Sequence, residues 1–152
     1  MERPLVVTDP SDQAPELIRE AGELAASLDV PLRVLTVVTQ DEFDEDADIY
    51  AAIATTDRTE YTLGRDEYAE DVANSAARDL LLDLDLEVHT IGRGVDDAGD
   101  RADAILEVAA EEECDYLFLT GRRRSPTGKA VFGDTAQRVI LNFDGYVVTL
   151  MD

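Results

Sequence analysis

Asp115-Tyr116-Leu117-Phe118-Leu119-Thr120-Gly121-Arg122-Arg123-Arg124 decides how the rest of the chain is read. From Tyr116 to Thr120 the residues are apolar or β-prone and do not alternate with polar ones. That pattern describes a strand covered on both faces, as in a parallel sheet. The run stops at a glycine and turns basic. Apolar residues return at helical spacing after Gly133, which predicts a helix over about 135–142.

The same succession of strand, polar loop and helix recurs upstream. Leu5-Val6-Val7-Thr8 is an apolar run stopped by Asp9-Pro10-Ser11-Asp12, and Ala14, Leu17, Ile18, Ala21, Leu24, Ala25 and Leu28 follow at helical spacing. Leu32 to Val38 predicts a second buried strand and Glu87 to Ile91 a third, with Gly92 to Gly99 as a loop. Helical patterns are expected over about Asp66–Leu84 and around Ala104–Ala109, and a last strand over Tyr146–Leu150. Residues 41–64 fit neither pattern and are expected to form a long variable or mobile segment. Alternating strands and helices imply right-handed crossovers between parallel strands. The expected fold is therefore one α/β domain over 1–152, an open doubly wound sheet of five parallel strands with four helices. Ligands of such sheets bind beyond the carboxyl ends of the strands, where the strand order reverses.

Composition narrows the function. The chain of 152 residues carries 35 Asp and Glu against 13 Lys and Arg, a net charge of −22. A generally basic nucleic-acid surface is excluded, and docking on anionic lipid is disfavoured. The acids are spread among apolar residues, and Lys129 is the only lysine. This pattern resembles proteins adapted to a salty cytoplasm, where surface repulsion is screened over a few ångströms. Cys114 and His89 are each the only residue of their type. An intrachain disulfide and a Cys/His zinc cluster are thereby ruled out. His89 is read as an ordinary strand residue and Cys114 as small-residue packing. With no apparent leader peptide and no apolar run long enough to span a bilayer, a cytoplasmic protein is expected.

Against this acidic background, the window from Gly121 to Arg138 holds Arg122, Arg123, Arg124, Lys129 and Arg138 but only one acid, Asp134. It also holds Gly121, Gly128 and Gly133, with Ser125, Thr127 and Thr135. Glycines let main-chain N–H groups approach an anion, a helix start adds a favourable dipole, and guanidinium groups match phosphate oxygens. The chemistry points to a phosphate-bearing small molecule, and the competing reading pairs these arginines with the protein's own acids. The loop is not a P-loop, because six residues separate Gly121 from Gly128-Lys129 and Ala130 follows.

Taken together, these stretches resemble the universal stress protein family over nearly the whole chain. Val7-Thr8-Asp9-Pro10-Ser11 is similar to the family's opening, and Gly121-Arg122-Arg123-Arg124-Ser125-Pro126-Thr127-Gly128-Lys129 with Phe132-Gly133-Asp134-Thr135-Ala136-Gln137-Arg138-Val139 is similar to its closing signature. The resemblance implies the strand order 3-2-1-4-5 and a fold like that of the adenine-nucleotide alpha hydrolases. Members that bind ATP carry Gly, two residues, Gly, nine residues, then Gly and Ser or Thr. Here Gly121 and Gly133 match, whereas Arg124 stands at the middle glycine, eight residues precede Gly133, and Asp134 stands at the Ser/Thr position. By the resemblance, Asp9 would accept hydrogen bonds from ribose or adenine, and Val38 could line the adenine pocket. From their chemistry rather than the family's pattern, Ser125, Thr127 and Lys129 are candidates to replace the lost phosphate contacts, and Arg124, Gly128 and Thr135 join them as candidate nucleotide- or phosphate-binding residues.

The expectation is a stress-response protein, non-catalytic or only weakly catalytic. Its switch-point cleft is suited to ATP, with Mg, or AMP, or to another phosphorylated ligand. No catalytic residue and no metal site is assigned. The alternative is a ligand-free dimeric interaction module of the same fold. A homodimer is expected in either case. Tyr146 to Leu150 is an uncharged strand left at a sheet edge, and pairing across a two-fold axis is common in the family. A phosphate-receiver domain is set aside, since strand three is followed by Gly92-Arg93 rather than a phosphorylatable Asp, and Lys129 lies in the wrong loop.

Overall fold

A computed structural model describes residues 1–8, 15–53, 64–121 and 133–151. Five strands are present, β1 (Pro4–Thr8), β2 (Leu32–Thr39), β3 (Val88–Val95), β4 (Tyr116–Gly121) and β5 (Tyr146–Met151). They form one sheet in the order β3-β2-β1-β4-β5, and each neighbouring pair is parallel. The order reverses between β1 and β4, so the carboxyl ends of these two strands open a crevice.

Both faces of the sheet are covered, which is why the strands read as continuous apolar runs. Along β1, Val6 packs with Leu17, Ile18 and Ala21 of α1 (Pro15–Ser27) and with Ala73 and Leu81 of α3 (Arg65–Leu81). Leu5 packs on the opposite side with Ile105 and Val108 of α4 (Arg101–Glu111) and Val139 of α5 (Asp134–Asn142). The alternation continues along β4, where Leu117 and Leu119 face α4 and α5 while Phe118 faces α1. Helices α1 and α4 both end without glycine. Asp29 and Glu113 take the left-handed conformation there, at φ 57° and 54°. The N–H groups of Val30 and Cys114 then close back on Ala25 and Ala109, capping the exposed carbonyls.

The helix count is corrected. Among the described residues there are five α-helices rather than four, and the additional one, α2 (Gln40–Ile53), takes up the start of the segment after β2. A capping box begins it. The Thr39 N–H donates to Glu42 Oε1 at 2.8 Å, and the Glu42 N–H donates to Thr39 Oγ1 at 3.2 Å. Phe43 then meets Tyr68 of α3 edge to face, with ring centres 5.6 Å apart, over a small cluster with Val38 and Ala69. Strand β3 is also longer than expected and continues through Gly92-Arg93-Gly94 to Val95, with a 3-10 turn at Ala98–Asp100. A side chain at 92 would collide with the main chain of Asp66, Ala69 and Glu70. The glycine is therefore a place where α3 lies directly on the strand, not a turn. Among the described residues no helix is long and apolar enough to cross a membrane.

Candidate functional site

At the β1/β4 reversal lies a cleft of about 620 Å³, within the size range of small-molecule sites. Its floor is apolar, with Val7 of β1, Val37 of β2, Leu119 of β4, and Ala102 and Ile105 of α4. Its rim is polar, with Thr8 and Thr120 at the strand ends, Arg101 at the start of α4, and Gly133, Asp134, Thr135 and Arg138 at the start of α5. Topology explains this composition. Floor residues come from core-facing strand positions, and the rim comes from the loops and first turns that follow them.

Gly133 is the N-cap residue of α5, and among the described residues no side chain caps the helix. The first N–H with a partner inside the helix is that of Gln137, which donates to the Gly133 carbonyl at 2.9 Å. The amides before it have no carbonyl ahead of them within the helix, so they present partial positive charge. Among the described residues, a Cβ at 133 would meet nothing within 4 Å. Asp134 is exposed in this first turn.

Two guanidinium groups flank the cleft, and both have acidic partners. Arg138 reaches Asp103 Oδ1 with Nε at 3.1 Å and Nη2 at 2.9 Å. Arg101 pairs with Glu42 through a very short contact. The structure brings Gly133, Asp134 and Thr135 to the cleft and ends β4 at the buried Gly121 beside it. Val38 does not line it. Its side chain is fully buried against Tyr68 and Ala69 under α3, and its neighbour Val37 occupies the cleft floor instead. Asp9, Arg124, Ser125, Thr127, Gly128 and Lys129 lie outside the described residues. Sequence reasoning missed Val37 and Arg101. Strand parity would have offered Val37, but nothing local marks Arg101, whose partner is 59 residues away.

His89 and Cys114, each expected to be structural, stand apart from the cleft. His89 is half-exposed on the outer strand, 3.7 Å from Glu87. Cys114 is buried at the opposite end of the sheet, where burial pushes its thiol up to about 11. A thiol so rarely ionised is a poor nucleophile.

With this geometry in hand, the sequence model of the universal stress protein family matches residues 1–149. The chain belongs to the universal stress protein family. Among solved structures, a universal stress protein from Archaeoglobus fulgidus is 26% identical, with a TM-score of 0.61 over 98% of this chain and 97% of that one. A universal stress protein in complex with cAMP is 20% identical, with a TM-score of 0.60 over 99% and 96%. The universal stress protein from Archaeoglobus fulgidus in complex with dAMP is 21% identical, with a TM-score of 0.56 over 98% and 96%. The last two are likenesses of fold. No curated protein matches the chain in sequence. In this universal stress protein Asp134 stands on the cleft rim.

Proposed function

We propose that this universal stress protein holds an adenine nucleotide or another small phosphorylated ligand in the β1/β4 cleft, in a regulatory rather than an efficiently catalytic role. One observation carries the reading. The start of α5, which no side chain caps among the described residues, opens through Gly133 onto an apolar-floored cleft at the strand-order reversal. Gly133, Thr135 and Gly121 would bring main chain to the phosphate, and Arg124, Ser125, Thr127, Gly128 and Lys129 would add donors from the loop. Asp9 would meet the ribose or base. The family members in complex with cAMP and dAMP support a ligand of the adenosine monophosphate type. Asp134 argues the same way, because a carboxylate beside the site opposes a triphosphate more than a monophosphate. ATP, if taken, would bring Mg to offset that charge. The test is the protein's own cargo. Purified protein, denatured at high salt, should release a nucleotide absorbing near the adenine maximum. Nucleotide-free protein would favour the second reading, a ligand-free interaction module, which the exposed Asp134 supports.

The proposed assembly is a homodimer through β5, in a salt-rich cytoplasm. Strand β5 is an edge strand with no charged residue from Tyr146 to Met151, and Tyr146 and Val148 are exposed on it. The net charge of −22 with a single lysine supports the salty setting.

A further inference from the structure

The two guanidinium groups of the cleft differ in a way that matters. Arg138 lies on the open rim, while Arg101 is mostly buried, with its side chain 16% exposed. Its partner Glu42, only 20% exposed, comes from α2 and is not part of the cleft wall. The same Glu42 oxygen that meets Arg101 also accepts the Thr39 N–H that starts α2. One carboxylate therefore joins the cleft's buried cation to the cap of a helix outside it. Phe43, the next residue, docks that helix on Tyr68.

We propose that Arg101 is a shared cation, held by Glu42 when the cleft is empty and drawn to the ligand's anionic group when the cleft is filled, so that ligand binding loosens the cap of α2. The inference rests on the proposed phosphorylated ligand. A phosphate brought to Arg101 also comes near the Glu42 carboxylate, and at such low exposure salt screens their repulsion poorly. Either Glu42 weakens the ligand or the ligand displaces Glu42. A part-buried carboxylate deprived of its cation is poorly placed and turns to water, which breaks its bond to the Thr39 N–H. By reciprocity, whatever steadies α2 weakens the ligand by the same factor. Arg101 and Glu42 thereby set both the affinity of the cleft and the strength of the cap that starts α2.

The test compares the wild-type chain with Glu42→Gln in 2 M potassium chloride, using AMP as the probe. Glutamine keeps the capping box and removes the charge. Calorimetry should find AMP bound at least about fivefold more tightly by the variant. Amide exchange at Thr39 and Glu42 should quicken several-fold on adding AMP to wild type and stay unchanged in the variant. If the variant is too unstable for calorimetry, the exchange arm on wild type decides alone. Equal affinities, or exchange at Thr39 and Glu42 that AMP leaves unchanged in wild type, would overturn the shared cation and leave the cleft as a nucleotide site. No heat from either chain removes the nucleotide reading and this inference together.

Discussion

At Gly92 the lack of a side chain is what lets α3 rest on β3. The main chain of Asp66, Ala69 and Glu70 occupies the space a methyl would need, and main chain cannot rotate away as a flexible side chain can. Gly92→Ala is expected to destabilise the protein by about 2–3 kcal/mol, because the helix must lift from the strand. Urea unfolding of the variant checks this, and a midpoint within error of wild type would count against the close approach. The same residue shows where the sequence misleads. Gly92 and Gly94 look like loop punctuation, since glycine usually marks a turn. Their purpose is tertiary and depends on a helix some twenty residues earlier in the chain. Val37 and Val38 show a second limit. Both are apolar residues of one buried strand that point to opposite faces, and which of the two faces carries the cleft depends on where the helices lie.

At the scale of elements, the strands were legible because a doubly covered sheet favours apolar runs that do not alternate with polar residues, and Leu5–Val7, Val34–Val38 with Thr36 inside it, and Tyr116–Thr120 supply them. Helix α2 was hidden by Asp41-Glu42-Phe43-Asp44-Glu45-Asp46, whose charge obscures a helix start. The signal was present in Thr39 and Glu42 at capping-box spacing. Asp115 illustrates how an element is tied in place. Its two carboxylate oxygens accept the N–H groups of Glu2 and Arg3, each at 2.8 Å, at the entry to β1. Burial pushes this carboxyl's pKa up, but the two main-chain donors outweigh it and hold the group below its ordinary value. A carboxyl with a depressed folded pKa stabilises the protein above the unfolded value, and that gain is lost as pH falls through the folded one. Asp115→Asn should therefore cost about 1 kcal/mol at pH 7, after discounting for solvent screening. The gap between variant and wild type should begin to narrow as pH falls below the ordinary carboxylate value of about 3.9 and close only below the folded one. A gap that is the same at pH 3 and pH 7 would refute the charge-assisted tie.

Over the whole molecule, the net charge of −22 sets a self-repulsion that the local ion pairs do not cancel. A net charge of −22 on a chain of 152 residues opposes compaction when screening reaches about 8 Å, and much less when it reaches about 3 Å. The local ion pairs do not remove it. Arg19 grips Asp83 through two bonds and also reaches Glu23, yet acids outnumber bases nearly three to one across the chain. The urea midpoint is expected to rise as potassium chloride goes from 0.1 to 2 M, with most of the gain by about 1 M, where screening is nearly complete. A midpoint independent of salt would dispose of the salt-adapted reading. At this scale the site was legible in part. The reversal point followed from the strand order that the family resemblance implies, and the glycine before α5 could be read from the sequence. The pairing of Arg101 with Glu42 could not, because it joins elements that only the folded sheet brings together.

Whether the cleft between β1 and α5 takes a small phosphorylated ligand is decided by calorimetric titration of AMP, ADP and ATP into the protein in 2 M potassium chloride. Saturable heat at one site per chain is expected, with AMP bound at least as tightly as ATP. No heat from any of the three, with an empty cleft in crystals soaked in AMP, would contradict it.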